Sequence, residues 1–237
     1  NPIINFRSFS DSPNIVADFG TQFISGIQSG NRLACAKHFP GHGNTNVDSH
    51  SSLPTIKGSR KSLESLELFP FKSAVDIGVK SIMTGHIALP GLDNYNNPAS
   101  QSWLITTGLL KNEWNYDGLI ITDGMEMGGL TQNTWAGESA IRAIEAGADI
   151  LLLPLDVDLT IDAIVKAVKQ NRISEERINL SVDKILKTKK NLSLFEFNNY
   201  PSWQDVEKIV GKSEHLKTAS TIARESITIV KNEFDLL

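Results

Sequence analysis

The chain of 237 residues is long enough to bury a sizeable core, and with 40% hydrophobic and 21% charged residues its composition is ordinary for a globular protein. Its formal net charge of -4 leaves no basic excess, which argues against nucleic acid as a partner. The single cysteine, Cys35, excludes an intrachain disulfide and is expected to be a buried structural thiol because it lies in an apolar run. No apolar stretch approaches a membrane span in length, and the first residues, which lack Met, read neither as a signal peptide nor as a natural start.

Short apolar runs alternate with amphipathic stretches along the chain. The first amphipathic stretch begins at Ser12, a favoured N-cap, has Pro13 in its first turn and ends at Gly30. After a helical stretch rich in Leu and Phe before Gly78, further helices are predicted over 103–114, 138–145, 159–169 and 175–191. Strands are predicted over the continuous apolar runs 33–36, 79–83, 119–122 and 150–153.

Strands that are apolar throughout and are each followed by a helix predict a parallel sheet covered on both faces. Polar side chains lie at or just beyond the ends of several of these strands: Lys37 and His38, then His86, then Asp123. Because several strands contribute them from the same end, the pattern favours an α/β fold of the (β/α)8 TIM-barrel type over an open doubly wound sheet. Only about four strand–helix units are visible where a closed barrel needs eight, so we expect a barrel that is incomplete at its N-terminal side.

The pattern changes after Asn191. We expect residues 1–195 to form the catalytic barrel portion and residues 196–212 to form a linker, in which Asn198, Asn199 and Pro201 are typical loop residues. Residues 213–237 are expected to begin a second unit, with a helix around 216–223 and a strand over 226–230.

The densest group of reactive side chains lies between Lys37 and His50, where three of the five histidines of the chain are found. The group allows three interpretations. It is a structural loop with hydrogen-bonded histidines, a zinc site built from His38, His42 and His50, or an acid–base centre in which Asp48 orients and polarises His50. Three histidines beside a carboxylate disfavour the first interpretation, and the other two stay open at this point.

A second candidate is Asp123, which directly follows the apolar run 118–122. An Asp in this position often caps the following helix. It also lies at the mouth of a barrel, where a glycosidase uses a carboxylate as the nucleophile on the anomeric carbon. Both interpretations are compatible with the residues alone.

Five segments of the chain resemble, in the right order, segments of the family 3 glycoside hydrolases of the β-N-acetylglucosaminidase subgroup. The subgroup's signature is similar to the run KHFPGHGNTNVDSH, and the family's nucleophile strand is similar to GLIITDGMEM. The other three segments are NPIINFRSFS, MTGHIALP and NPASQSWLITTGLLKNEWNYDG. The resemblance covers residues 1–195. The histidine-containing run is highly specific, whereas an apolar run that ends in Asp is a weak signal by itself.

The resemblance implies a role for individual residues. Asp123 matches the nucleophile, and Asp48 and His50 match the Asp–His dyad that acts as general acid/base in this subgroup. The residues that match substrate-binding or pocket positions are Arg7, Lys37, His38, His86 and Met127. For His86 and Met127 a packing role is an equal alternative.

The chain departs from the family pattern at Asn44, where an Asp is common, and at Gly124, where larger residues are common. The family segment that supplies the first barrel strands and a sugar-binding Asp has no counterpart here. At the other end, the second α/β domain of two-domain members resembles ARESITIVKNEFDLL. We therefore expect residues 213–237 to begin such a domain and the chain to be part of a longer protein.

The resulting hypothesis is a retaining exo-β-N-acetylglucosaminidase that acts on small carbohydrate substrates derived from chitin or peptidoglycan, with no metal and no organic cofactor. A β-glucosidase or a glycoside phosphorylase of the same family is the nearest alternative. A zinc-dependent hydrolase and a non-catalytic sugar-binding protein are alternatives of other classes. The residues leave the oligomeric state open, and they leave the compartment open between cytoplasm and cell envelope.

Overall fold

The computed structural model describes residues 4–45, 52–93, 97–131, 135–196, 201–229 and 231. The chain divides into two compact units, Asn1–Leu192 and Ser193–Leu237. In the first unit, strands and helices alternate, as the apolar and amphipathic runs predict. Its elements are a 3₁₀-helix Asn5–Arg7, α1 (Pro13–Ser29), β1 (Cys35–Phe39), α2 (Arg60–Ser65), α3 (Phe69–Asp76), β2 (Ser81–Thr84), a 3₁₀-helix Ala99–Gln101, a wide π-type helix Leu104–Glu113, β3 (Leu119–Gly124), α4 (Gly128–Thr131), α5 (Ala136–Ala146), β4 (Ile150–Leu152), α6 (Val157–Lys169) and α7 (Glu175–Asn191).

The four strands form one parallel sheet in the order β1-β2-β3-β4, which confirms the predicted α/β fold with a parallel sheet. Thr84 of β2 pairs with Phe39 of β1 on one side and with Thr122 of β3 on the other. This register brings the carboxyl ends of the three strands to the same edge of the sheet. Within the described part of the chain, β1 and β4 each pair on one side only, and the closed eight-stranded barrel stays a prediction.

Local sequence signals explain where the helices begin. Pro13 lies in the first turn of α1, where its missing N–H needs no partner. The side chains of Ser59, Asp156 and Ser174 each accept a hydrogen bond from a backbone N–H three residues ahead and so cap α2, α6 and α7. At the far end of α5, Gly147 adopts a φ of 122°, a conformation that disfavours other residues.

A large apolar core holds the strands in place, and a smaller second cluster lies between α5 and α6. The largest fully buried side chains of the large core include Phe39, Leu63, Leu68, Ile82, Leu110 and Ile120. Burial of each such side chain contributes about 1.5–3 kcal/mol. The ring of Phe39 packs edge-on against Phe71 of α3, with 5.3 Å between the ring centroids, and so fixes the carboxyl end of β1.

Two predictions about β1 and Cys35 need correction. The first strand runs over Cys35–Phe39 and not over 33–36, because pairing with β2 resumes at Phe39 after a shift of register at the polar residues Lys37 and His38. Cys35 is exposed and not buried, since β1 is an end strand and the Cys35 side chain lines a cavity beside it.

The second unit contains α8 (Trp203–Ile209) and α9 (Ser213–Glu225), and neither helix has a buried residue. The predicted helix around 216–223 lies within α9. The predicted strand over 226–230 is wrong for the residues that are described, because Ser226 ends α9 and residues 227–229 pair with no strand. No helix in the described ranges is long and apolar enough to cross a membrane.

Candidate active site

The carboxyl ends of β1 and β3 bring two predicted site residues together. Asp123 is the last residue but one of β3, and His38 is the last residue but one of β1. The Asp123 Oδ2 atom lies 3.8 Å from His38 Nε2, and the two side chains are only 17% and 12% exposed. The other carboxylate oxygen of Asp123, Oδ1, accepts a hydrogen bond of 2.9 Å from the backbone N–H of Gly124, which fixes the carboxylate orientation.

His38 is uncharged near neutral pH. Its pKa is lowered from 6.5 to about 4, mainly by burial and in smaller part by the positive charges of Lys37 and Arg7, while the carboxylate of Asp123 opposes the shift. The contact between His38 and Asp123 is therefore not an ion pair at pH 7, and at 3.8 Å it is too long for a hydrogen bond. Asp123 thus has a neutral imidazole beside its carboxylate.

A cavity of about 760 Å³ lies beside β1. Three of the predicted substrate-binding residues, Arg7, Lys37 and His38, line it together with His42. Arg7 comes from the first 3₁₀-helix and Lys37 from β1, so residues that are 30 positions apart in the sequence meet at one surface. The carboxylates of Asp11 and Glu67 also line the cavity, together with apolar side chains of α1 and α3.

The ring of His42 is buried and its tautomer follows from its contacts. Thr45 Oγ1 donates to the carbonyl oxygen of His42 at 3.0 Å, so this hydroxyl accepts at 2.6 Å from His42 Nδ1, which carries the proton. The two contacts close the turn between His42 and Thr45. The rings of His38 and His42 lie edge-to-face with 6.0 Å between their centroids.

His86 and Met127 lie deeper than the other predicted residues. His86 is fully buried, with Nε2 at 2.9 Å from the carbonyl oxygen of Gly124 and Nδ1 at 2.8 Å from the hydroxyl of Ser100. Met127 is 7% exposed and packs over the Cα of Gly124. Both residues support the backbone next to Asp123, and a direct contact of either with a substrate stays a prediction.

Asp48 and His50, the predicted acid–base dyad, lie outside the described residues. So does one member of the alternative zinc set, His50. No group of three His, Cys, Asp or Glu side chains able to hold a metal ion is found where the structure describes the chain. The acid–base interpretation and the zinc interpretation therefore both rest on the sequence alone.

Two residues at the site carried no signal in the sequence. Ser100 accompanies His86 although 14 positions separate them. Glu67 is buried beside the turn that contains His42. In the sequence it stands out only as an acidic residue between Leu66 and Leu68. Neither contact is predictable from spacing, because each joins segments that are distant in the sequence.

Comparison with known proteins places this geometry in context. A family model described as the glycosyl hydrolase family 3 N terminal domain matches residues 1–188. The β-hexosaminidase A of Pseudoalteromonas piscicida is 31% identical over an alignment of 253 residues, which covers 98% of this chain and 42% of that protein.

Two solved structures are also similar. A family 3 β-N-acetylglucosaminidase from Paenibacillus sp. str. FPU-7 has a TM-score of 0.92 at 37% identity, over 98% of this chain and 44% of that chain. A β-glucoside phosphorylase, BglX, has a TM-score of 0.93 at 28% identity, over 100% of this chain and 44% of that chain. The chain spans less than half of the length of each of these relatives.

Proposed function

Because the chain belongs to glycoside hydrolase family 3, we propose that it carries the catalytic residues of a retaining exo-β-N-acetylglucosaminidase. The proposed substrates are chitin- or peptidoglycan-derived sugars with a terminal N-acetylglucosamine. The observation that carries the proposal is the carboxylate of Asp123, held at the end of β3 beside the neutral ring of His38. The names of the similar β-hexosaminidase and β-N-acetylglucosaminidase support the choice of sugar.

The proposed fold is a (β/α)8 TIM-type barrel, of which residues 1–195 form the larger part and which this chain leaves incomplete at its N-terminal side. Residues 196–212 are the proposed linker, and residues 213–237 the proposed beginning of a second α/β domain. The proposal is supported by the two end strands, β1 and β4, each of which pairs on one side only among the described residues. It is also supported by α1 and α6, which expose large apolar side chains.

The first chemical step is attack of Asp123 Oδ2 on the anomeric carbon, on the face opposite to the leaving oxygen. As the bond between that carbon and the glycosidic oxygen breaks, the leaving oxygen takes the electron pair and a proton from His50. The sugar is then held as an ester on Asp123. The neutral state of His38 favours this step, because no imidazolium beside Asp123 withdraws electron density from the nucleophile.

In the second step, His50, now neutral, takes a proton from water as the water oxygen attacks the anomeric carbon. The ester bond breaks, and its electron pair returns to the carboxylate of Asp123. Two inversions at the same carbon give net retention of configuration. Asp48 orients His50 in both steps, and no metal or organic cofactor takes part.

Arg7, Lys37 and His38 are proposed to hold the sugar. The guanidinium and ammonium groups supply hydrogen-bond donors, and both lie on the wall of the same cavity. His38 in its neutral form both donates and accepts, as a sugar hydroxyl does. The buried residues His86 and Met127 are proposed to form the rest of the subsite.

The proposal is tested by trapping the glycosyl-enzyme in the full-length protein. A fluorinated N-acetylglucosaminyl fluoride should inactivate the enzyme, and mass spectrometry of a digest should find one added sugar on the peptide that contains Asp123. A label on any other residue, or unhindered turnover without a label, contradicts the nucleophile assignment.

A glycoside phosphorylase of the same family is the second candidate, and the similarity to a β-glucoside phosphorylase favours keeping it. In that reaction phosphate replaces water in the second step. Incubation with substrate and inorganic phosphate separates the two, since a phosphorylase yields the sugar 1-phosphate and a hydrolase the free sugar. The same assay with a glucoside in place of the N-acetylglucosaminide tests the β-glucosidase alternative.

A further inference from the structure

A buried carboxylate outside the predicted catalytic set lies against the turn that follows β1. Glu67 is 9% exposed and lies between α2 and α3, next to the fully buried Leu68. Its side chain lines the same cavity as Lys37 and His38. The predicted mechanism gives it no role.

The backbone of the turn runs directly over the Glu67 side chain. Gly41 adopts a φ of 137°, and a Cβ added there would lie 3.0 Å from the Cβ of Glu67. Only glycine allows both this backbone conformation and this approach. The contact fixes the beginning of the turn against Glu67.

The carboxylate holds the other end of the turn. Glu67 Oε1 accepts a hydrogen bond of 3.2 Å from Nδ2 of Asn44. Because His42 and Thr45 are joined by two hydrogen bonds, Asn44 lies within a closed unit, and its anchor fixes that unit as a whole. Glu67 therefore touches the turn at both Gly41 and Asn44.

The second carboxylate oxygen, Oε2, is buried and has no hydrogen-bond partner among the described residues. An unpartnered buried polar atom costs about 1–3 kcal/mol or more when it carries charge. A residue chosen only for stability would be apolar here, as the fully buried neighbour Leu68 is. The carboxylate is therefore better explained by function than by packing.

We propose that Glu67 is a positioning residue that acts through Asn44 and Gly41 on the segment that leads to Asp48 and His50. The chain reaches Asp48 three residues after Thr45, so an anchored turn restricts where the acid–base dyad begins. The inference rests on the proposed function, because it assigns to Glu67 the alignment of the proton donor. In this role Glu67 contacts neither the reacting atoms nor the sugar, although it lines the same cavity as Lys37.

The test uses the full-length protein with the substitutions Glu67→Ala, Glu67→Gln and Asn44→Ala. Two substrates are compared: methylumbelliferyl N-acetyl-β-D-glucosaminide, whose leaving group needs little protonation, and N,N′-diacetylchitobiose, whose leaving group needs a proton. Glu67→Ala and Asn44→Ala should each lower kcat about 100-fold on diacetylchitobiose and less than about tenfold on the aryl substrate, with KM nearly unchanged. Glu67→Gln keeps an oxygen that accepts from Asn44 and should retain most activity.

The double variant Glu67→Ala/Asn44→Ala should be no worse than either single variant, because both remove the same contact. The matched control is Glu64→Ala, which removes an exposed carboxylate of α2 and should leave kcat unchanged on both substrates. Equal losses of kcat on both substrates overturn the proposal and leave Glu67 a structural residue. A rise in KM at constant kcat also overturns it and indicates a direct contact with the sugar.

Hydrogen exchange of the peptide 38–52 gives a readout that needs no activity. Glu67→Ala and Asn44→Ala should speed exchange in this peptide, whereas Glu64→Ala should not. Should the wild-type protein hydrolyse neither substrate, the proposed function fails while faster exchange still supports the anchor. Unchanged exchange in a folded Glu67→Ala or Asn44→Ala variant overturns the anchor itself.

Discussion

The imidazole of His86 joins the end of β2 to the residue after Asp123: its Nε2 lies 2.9 Å from the carbonyl oxygen of Gly124. A carbonyl oxygen only accepts, so Nε2 carries a proton and donates. In the neutral ring, Nδ1 then accepts from the hydroxyl of Ser100, 2.8 Å away. The backbone beside the proposed nucleophile is thus held by a fully buried ring from the segment that follows the neighbouring strand, β2.

This contact predicts different outcomes for two substitutions of His86. His86→Gln places an amide near the position of Nε2 and keeps this donor for Gly124, whereas His86→Asn places its amide near Nδ1 and leaves the carbonyl with the N–H of Met127 alone. Because one hydrogen bond to this carbonyl is lost, His86→Asn should lower the free energy of unfolding by about 0.5–1.5 kcal/mol more than His86→Gln and should reduce kcat more. Thermal unfolding and steady-state kinetics of the full-length protein measure both. A rise in KM alone in both variants would show instead that His86 contacts the sugar.

Asp123→Asn should abolish turnover of aryl N-acetylglucosaminides by the full-length protein. An amide is not a nucleophile toward the anomeric carbon, but its oxygen still accepts from the N–H of Gly124, so the fold is kept. The thermal midpoint of the variant serves as the control and should match that of the wild type. Activity within tenfold of wild type removes Asp123 from the nucleophile role.

His50→Ala should slow the hydrolysis of substrates with poor leaving groups far more than that of activated aryl glycosides, since the latter need little proton donation. Asp48→Ala should show the same trend more mildly. Relative kcat values across a series of leaving groups give the measurement. An equal loss on every substrate points to a binding or metal role, and zinc analysis of the purified protein then decides between them.

The sequence predicts the helices of this chain better than its strands. The predicted helix over 175–191 coincides with α7, because Ser174 supplies a cap and two glutamates follow in the first turn. The first strand is displaced, because Lys37 and His38 interrupt the apolar run, whereas pairing with β2 resumes beyond them at Phe39. A run of apolar residues predicts a buried strand. Where the side chains of a strand line a functional cavity they are polar, so the run stops before the strand does.

Part of the candidate site is also visible in the sequence. Asp123 is found because an apolar strand places the next polar residue at the sheet edge, and the resemblance brings Arg7, Lys37 and His38 to the same region. Glu67 is missed because its partner Asn44 lies 23 positions away and no local pattern connects the two. Contacts between distant segments depend on the packed structure, so spacing alone does not reveal them.

His38 should titrate well below an ordinary histidine. Its pKa is lowered from 6.5 to about 4, mainly by burial. Titration of the imidazole protons of the full-length protein by NMR, with His38→Gln to identify the signal, should give a midpoint near that value. Because the carboxylate of Asp123 raises the pKa of His38, Asp123→Asn should lower the midpoint further. A midpoint near 6.5, or a rise in Asp123→Asn, contradicts the assignment.

The same shift predicts how stability depends on pH. Between pH 6.5 and about 4 the unfolded state binds a proton at His38 that the folded state does not, so stability falls as the pH falls through this window. Above pH 6.5 His38 is neutral in both states and this loss of stability is absent. Below about pH 4 the loss reaches its full size of roughly 3 kcal/mol. Between neutrality and about pH 5, the thermal midpoint of the wild type should fall more than that of His38→Gln. Parallel curves for the two proteins would exclude this contribution.

The 237 residues expressed alone as a monomer should be inactive and poorly folded. β1 and β4 are the end strands of a four-stranded sheet, and each presents unpaired backbone groups on one side within the described part of the chain. Helices α1 and α6 also expose apolar side chains, among them Phe19 and Phe23 of α1, at 59% and 62%, and Ile161 of α6, at 53%. Exposed apolar faces together with open strand edges favour association over a stable monomer.

Size-exclusion chromatography with light scattering and a fluorogenic N-acetylglucosaminide assay on the 237-residue chain test this prediction, with the full-length protein as the reference. We expect aggregates or oligomers, binding of a dye for exposed apolar surface, and no turnover. Substitution of Phe19 and Phe23 by Ser should reduce association without restoring activity, because the strand edges remain open. A monodisperse monomer with turnover like that of the full-length protein would show that four strands and their helices suffice for a working site, and that the barrel is not needed.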